Sequence, residues 1–432
     1  MSTITTRAEI PIFAFTAQPE GLTIGEGKPF RDRWQLYSFM RDTGFKGLTC
    51  PAGSLGDTDE LIESADNRAK MLDEFDKNCG LQPQRTEMHV IGQNVCLHSS
   101  RVLKFGSFVS DAFRTLSHRQ IEALATQKLQ KEIILAVQLG FHEMPGFFGG
   151  RFYAVAQAKW PAWPPYLILW AMGLLAEKWE PSLEFAADYG VILSPEVGHE
   201  ENDLLTGEHF TIFCSLLSEK AKRGLGLQVD YSHFLNKAIN PMPHFSHAME
   251  SVKYMTNHCK EGAVADLGDG KASALGGDIW SKSFGSFYTI GTVAPIPLLR
   301  KFGDLLCNSI VSQGKGALVY EAEDTGIKNP IQAMEVGFHN TKALRDGGDF
   351  IRLEGFVPRR QPISQTYRRS KGVLVYPGGS KKPLDAWDGG AFDAFAEGPV
   401  KAWELLGLQP DEKLAVQTRL KKFGQETASL AV

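Results

Sequence analysis

The chain has 432 residues, 43% of them hydrophobic and 22% charged, enough to bury a large core, in roughly two or three domains of typical length or with one larger single domain among them. Its 46 basic and 50 acidic residues leave a net charge of −4, so nothing draws the whole molecule to nucleic-acid phosphates or an anionic membrane, and neither partner is expected. Six scattered cysteines with no C-x-x-C pair, the lack of an apolar leader, and a greasiest stretch (Trp163 to Leu175) too short to span a bilayer predict a reduced, soluble, cytoplasmic protein.

In chain order, Ile10-Pro-Ile-Phe-Ala-Phe-Thr16 reads as a first strand and Arg31 to Thr43 as an amphipathic helix stopped by Gly44. Phe45 to Pro51 is a second strand, Ser64 to Asn78 a helix ended by Gly80, and Leu81 to Val90 a third strand weakened by its polar residues. After a stretch without clear pattern, Ser117 caps a long helix to Leu139. Phe141 to Pro145 is a fourth strand, followed by an aromatic Gly/Pro-rich loop and a helix from Leu167 to Tyr189. Val191 to Glu196 and Leu225 to Asp230 are strands five and six, with the Thr206–Arg223 helix between them. Met242 to Met255 is helical, Thr256 to Glu261 a seventh strand, and 262–293 a long Gly-rich loop. Pro295 to Gln313, Ala317 to Glu321 and Pro330 to Arg345 add a helix, an eighth strand and a last helix. Eight such alternations predict a (β/α)8 TIM barrel over residues 1–347. Residues 348–432 are then an irregular, basic C-terminal extension ending in a helix from Asp411 to Lys422, suited to wrapping the barrel, closing over it or joining subunits.

Four of the strands end in a residue able to bind a divalent cation: Glu196, Asp230, His258 and Glu321. In a barrel these belong to consecutive sectors of one rim, the C-terminal face where such folds bind their ligands. Each acid alone is better explained as a helix cap, but four in register favour a metal site of carboxylates and one imidazole. Manganese is the first expectation, with magnesium, cobalt and zinc open. His199, three beyond Glu196, His233, three beyond Asp230, and Lys260, two beyond His258, are placed to bind substrate oxygens or to orient a ligand. The remaining histidines, His209 among them, read as structural. The aromatic set Phe147, Phe148, Phe152, Tyr153, Trp160, Trp163 and Tyr166 is a candidate pocket wall, as is Gly276-Gly-Asp-Ile-Trp280. No phosphate-binding P-loop, nucleophile elbow or dinucleotide fingerprint is present.

At these residues the chain resembles the xylose isomerase-like TIM barrel superfamily, in its sugar phosphate isomerase/epimerase branch. The resemblance covers roughly residues 10 to 345 and is firmest from Lys159-Trp-Pro-Ala-Trp to Phe234, with Trp179-Glu-Pro-Ser-Leu-Glu-Phe before the Glu196 strand. Asp230-Tyr-Ser-His, His258-Cys-Lys-Glu and Val319-Tyr-Glu-Ala-Glu-Asp324 follow in the same order. It implies a metal set on Glu196, Asp230, His258 and Glu321, with Glu323 the rival for the last place, and Glu196 and Glu321 as the catalytic acid–base pair. The chain departs at Gly198-His-Glu200, where the family often carries His-Pro-Glu, and in the extension, which is unmatched.

Such a site would move a proton beside the carbonyl of a keto-sugar or related polyol ketone through an enediolate. An isomerase or epimerase is the first expectation, acting on a small sugar as a homo-oligomer. Three alternatives stand beside it: a metal-dependent lyase or deglycosidase of an oxidised (3-keto) sugar or glycoside, an apurinic endonuclease-like phosphodiesterase, and a non-catalytic barrel subunit.

Overall fold

The structure is a computed structural model that describes residues 3–16, 20, 23–88, 116–152, 166–198, 203–229, 241–251, 256–260, 296–321, 330–349, 351, 368–370, 373–375, 381–383 and 401–423. Eight strands form one parallel sheet: β1 (Ile12–Phe15), β2 (Gly47–Pro51), β3 (Pro83–Glu87), β4 (Glu143–Gly146), β5 (Ile192–Val197), β6 (Gln228–Val229), β7 (Thr256–Lys260) and β8 (Leu318–Glu321). Their spatial order is β3-β2-β1-β8-β7-β6-β5-β4. The two ends of that row meet, because the Met88 N–H just past β3 donates to the Pro145 carbonyl of β4 at 2.9 Å. In a parallel ladder that bond sets Met88 beside Gly146.

Register gives the barrel its geometry. Ala14 pairs with Tyr320, and Tyr320 with Cys259. The offsets then follow Val229↔Asn257, Val197↔Val229, Gly146↔Pro195, the Met88–Gly146 junction, Pro51↔Glu87 and Phe15↔Thr49. Carried once round, the circuit returns to β1 eight residues further along. Eight strands with a stagger of eight are the closure condition of a (β/α)8 barrel. The chain is such a barrel.

Helices shield it on the outside: α1 (Arg33–Thr43), α2 (Thr58–Glu63), α3 (Ala65–Cys79), α4 (His118–Gln138), α5 (Leu167–Asp188), α6 (Gly207–Ser215), α7 (Glu219–Arg223), α8 (Pro241–Glu250), α9 (Ile296–Gln313) and α10 (Pro330–Asp346). Their starts are written in the sequence. The side chains of Asp32, Ser64, Ser117 and Thr206 each accept a hydrogen bond from a first-turn amide, and Gln120 completes a capping box with Ser117. At the other end of α3, Gly80 takes φ 65°, a left-handed turn that a side chain would strain.

Two layers of apolar packing result. Leu48, Cys50, Leu193, Val197, Leu227, Leu318 and Tyr320 alternate outward into the main core under the helices, while Phe13, Phe15, Ala317 and Val319 form a separate small cluster inside the barrel. Cys50, Cys79, Cys214 and Cys307 are free and buried, and burial pushes the Cys50 thiol up to about 12.

The structure departs from the sequence reading in three places. The helix expected at 64–78 forms as α3, capped by Ser64, but α2 precedes it where no helix is expected, and the single helix expected at 206–223 is split, because Ser218 caps a new helix where periodicity alone runs on. Strand six pairs over only two residues, with an isolated bridge between Leu193 and Leu225 before it. The C-terminal extension is not irregular throughout. It carries a small antiparallel sheet, β9 (Arg368–Ser370), β10 (Val373–Val375) and β11 (Lys381–Pro383), and two helices, α11 (Ala402–Leu405) and α12 (Pro410–Lys422). Among the described residues no helix is long and apolar enough to cross a membrane.

Candidate active site

Residues that pair across a parallel ladder share a face, so the lumen can be followed from strand to strand. Val319 lies in the inner cluster and pairs with His258. Two residues earlier, Thr256 pairs with Gln228, and Gln228 with Glu196. Two before Glu196, Ser194 pairs with Pro145, and Glu143 stands two before that. The lumen is therefore divided. Its β8–β1 side is lined by Phe13, Phe15, Ala317 and Val319, and its β4–β6 side by Glu143, Ser194, Glu196 and Gln228, all buried.

Glu196 stands next to last in β5, 1% exposed, and its Oε2 accepts a hydrogen bond from Gln228 Nε2 at 2.7 Å. The donor is a neutral amide, which fixes the orientation of that oxygen. Gln228 was not expected from sequence, although the flanking outward-facing Leu227 and Val229 mark it as an inward position.

Three of the four predicted ligand positions fall on strands. Glu196 pairs with Gln228, His258 pairs with Val319, and Glu321 is two beyond Val319. Inward positions at one height in a barrel of stagger eight advance from strand to strand in steps of two and none, and the step of two from His258 to Glu321 follows that rule. Asp230, His199 and His233 lie outside the described residues, and so do the side chains of His258, Lys260 and Glu321. The strand register sets Lys260 opposite Glu321. Among the described side chains, no three His, Cys, Asp or Glu come together. Of the predicted ligands, the one whose side chain is described, Glu196, is a buried, hydrogen-bonded carboxylate, a hard oxygen donor of the kind magnesium or manganese takes.

The loops after β4 and β5 are tied to each other beside this mouth. The Gly198 N–H donates to the Leu204 carbonyl (2.9 Å), the Asp203 N–H to the Phe148 carbonyl (3.2 Å), and the Phe152 N–H to Asp203 Oδ2 (2.9 Å). Of the expected aromatic wall, Phe148 stacks on Trp179 with centroids 3.9 Å apart and Phe152 sits edge-on to His209 at 5.4 Å; both are fully buried. They pack in the buried layer outside the barrel, against Trp179 and His209. The Gly276–Trp280 wall, Tyr153, Trp160, Trp163 and Glu323 lie outside the described residues.

His209, read as structural, is 5% exposed, and burial pulls its pKa from 6.5 down to about 4, against a small opposing effect from an Asp203 backbone hydrogen bond. Both folded and unfolded forms are neutral above pH 6.5. As the pH falls below that value the unfolded chain takes a proton that the folded one refuses, until the folded form also titrates near 4. Stability is therefore expected to fall by about 3 kcal/mol between pH 6.5 and 4 from this residue. Denaturation midpoints measured across that range should show a loss that His209→Phe abolishes.

No protein-family model and no curated protein matches this chain. Solved structures similar to it include a xylose isomerase domain protein from Planctomyces limnophilus, at 14% identity over 78% of this chain and 97% of that one, TM-score 0.45. The apo form of 3-keto-D-glucoside 4-epimerase from E. coli is 11% identical over 78% of this chain and 100% of its own, TM-score 0.43. A xylose isomerase-like TIM barrel protein from Mycobacterium smegmatis, solved in complex with magnesium, is 16% identical over 79% and 97%, TM-score 0.43. The assignment of the barrel here stands on its own ladder and closure.

Proposed function

We propose that the chain is a divalent-metal-dependent sugar isomerase or epimerase that moves a proton at the carbon beside a carbonyl. The observation that supports this reading is the strand register: Glu196, His258 and Glu321 are donor-bearing residues near the ends of β5, β7 and β8, and the one carboxylate of the expected set whose surroundings are described, Glu196, is buried in a polar half of the lumen.

The polar half, Glu143, Ser194, Glu196 and Gln228, presents oxygen and amide groups suited to sugar hydroxyls, while Phe13, Phe15 and Val319 opposite exclude water from beneath them. Gln228 holds one oxygen of Glu196 and so fixes the side chain's orientation; in its ionised form Glu196 would serve as the proton acceptor. Glu321, three strands away around the rim, would serve the opposite face of a substrate lying across the mouth. Two carboxylates on opposite faces permit epimerisation, one taking a proton and the other returning one. His199, His233 and Lys260 would hold substrate oxygens. A bound divalent cation, manganese first, would polarise the carbonyl and offset the negative charge that builds on its oxygen.

Incubation with a panel of free keto-sugars and 3-keto-glycosides in deuterated buffer with Mn²⁺ tests the reading. Deuterium should appear at the carbon beside the carbonyl, be lost with chelator, and return with Mn²⁺ or Co²⁺. No exchange into any member of the panel by metal-loaded protein would contradict it. Analysis of the labelled products separates epimers from the unsaturated products of a lyase.

A further inference from the structure

The C-terminal helices are joined to the mouth of the barrel by buried charge. Arg151 ends the short loop that leaves β4, and it is 2% exposed. Its Nε and Nη2 donate to both oxygens of Glu122 on α4 (2.9 and 3.0 Å), and Nη2 also donates to Glu412 Oε1 on α12 (2.9 Å). Nη1 reaches the carbonyls of Leu406 and Gly407 in the α11–α12 turn (3.4 and 3.3 Å). Lys178 on α5 bonds the same Glu122 and Glu412, at 3.0 and 2.9 Å. Arg151 and Lys178 thus share two carboxylates, Glu122 and Glu412, in a largely buried cluster, and at its edge Arg119 also pairs with Glu412 at 3.4 Å.

The rest of the extension is fastened along α5. Trp403 packs on Trp170 with centroids 5.1 Å apart, and Arg419 pairs with Glu177 and Glu180 and donates to the Leu216 carbonyl. Val416 and Leu420 lie over Gly173, where a Cβ would stand 2.8 Å from Val416 Cγ1, so the helices approach closely only because that position has no side chain.

From Arg151 the connection runs inward. The next residue, Phe152, donates its N–H to Asp203; the Asp203 N–H holds Phe148; Leu204 accepts from Gly198, two residues after Glu196. We propose that α11 and α12 form a clip that sets the loops after β4 and β5, and through them the Glu196 carboxylate, with Arg151 and Glu412 as positioning residues. Its last link, to Glu196 as a metal and substrate group, rests on the function proposed above; the link to the loops does not.

The experiment compares wild type, Glu412→Gln and Gly173→Ala, full chain in each case. Glu412→Gln removes one charge of the cluster, and Gly173→Ala lifts α12 without touching Arg151, so a folding defect in either leaves the other to decide. Hydrogen exchange is read at the amides of Phe152, Asp203 and Gly198, and Mn²⁺ affinity by titration. Those three amides should exchange about tenfold faster or more in both variants, and Mn²⁺ binding should weaken about tenfold. Faster exchange confined to residues 401–423 would overturn the clip. Faster exchange at the loops with unchanged Mn²⁺ affinity would overturn the step from loops to Glu196. Wild type that binds no Mn²⁺ would refute the proposed function, and the exchange data would still decide the clip.

Discussion

Glu196→Gln is expected to lower turnover of any keto-sugar substrate at least ~10³-fold while leaving the fold intact. The glutamine keeps the shape of the side chain, and its amide oxygen can still accept from Gln228 Nε2. What it loses is the negative charge and the basicity, the two properties proton abstraction and cation binding need. The same replacement bears on stability in the opposite sense. A carboxylate 1% exposed in the lumen carries a desolvation cost that a neutral amide does not. The variant should therefore unfold at the same denaturant concentration as wild type or a higher one, the pattern of a residue kept for chemistry. Wild-type turnover in Glu196→Gln would refute its assignment, and Glu321→Gln is expected to match it.

The largest expected stability effect lies outside the barrel. Arg151→Met should destabilise by about 3–5 kcal/mol, because it removes the most buried cation from Glu122 and Glu412 and leaves them to Lys178 and, for Glu412, the half-exposed Arg119. An exposed pair makes the contrast. Lys222→Met removes the bond to Glu219, whose side chain is 83% exposed, and should change stability by under ~1 kcal/mol. Equal effects from the two replacements in denaturant titrations would contradict the buried cluster. The acid limb reports the same interaction. Burial raises the Glu412 pKa, but hydrogen bonds from Arg151, the Gln409 backbone and Lys178 outweigh it and bring it to about 2. Its stabilising contribution is present above pH 4.5 and disappears as the pH falls to 2; Arg151→Met should shrink that loss.

Much of the barrel is legible in local sequence because local forces set it. Alternation in Ile12-Phe-Ala-Phe15 and Leu318-Val-Tyr320 sorts one residue to the helices and the next to the lumen, and Ser117 with Gln120 announces a helix before its apolar face begins. The split at Ser218 is less visible, because a cap inside a stretch of helical periodicity carries no apolar signal of its own. Glu196 is readable as an acid closing an apolar run. That its partner is Gln228 needs the register, since amides are as common on surfaces as in lumens. Arg151 and Glu412 are 261 positions apart in a Gly-rich loop and a charged helix, and no local pattern distinguishes them from solvated residues. Nor does sequence show that Phe148 and Phe152 face Trp179 and His209; an aromatic in a rim loop serves a pocket or a core equally well.

The central claim is that Glu196, Asp230, His258 and Glu321 surround one divalent ion at the mouth of the barrel. Crystals soaked in Mn²⁺ and measured on both sides of the manganese absorption edge test it directly. One anomalous peak per chain, within about 2.0–2.3 Å of donor atoms from all four residues, is the predicted result. A peak elsewhere, or none at saturating Mn²⁺ with the four side chains turned apart, would contradict it.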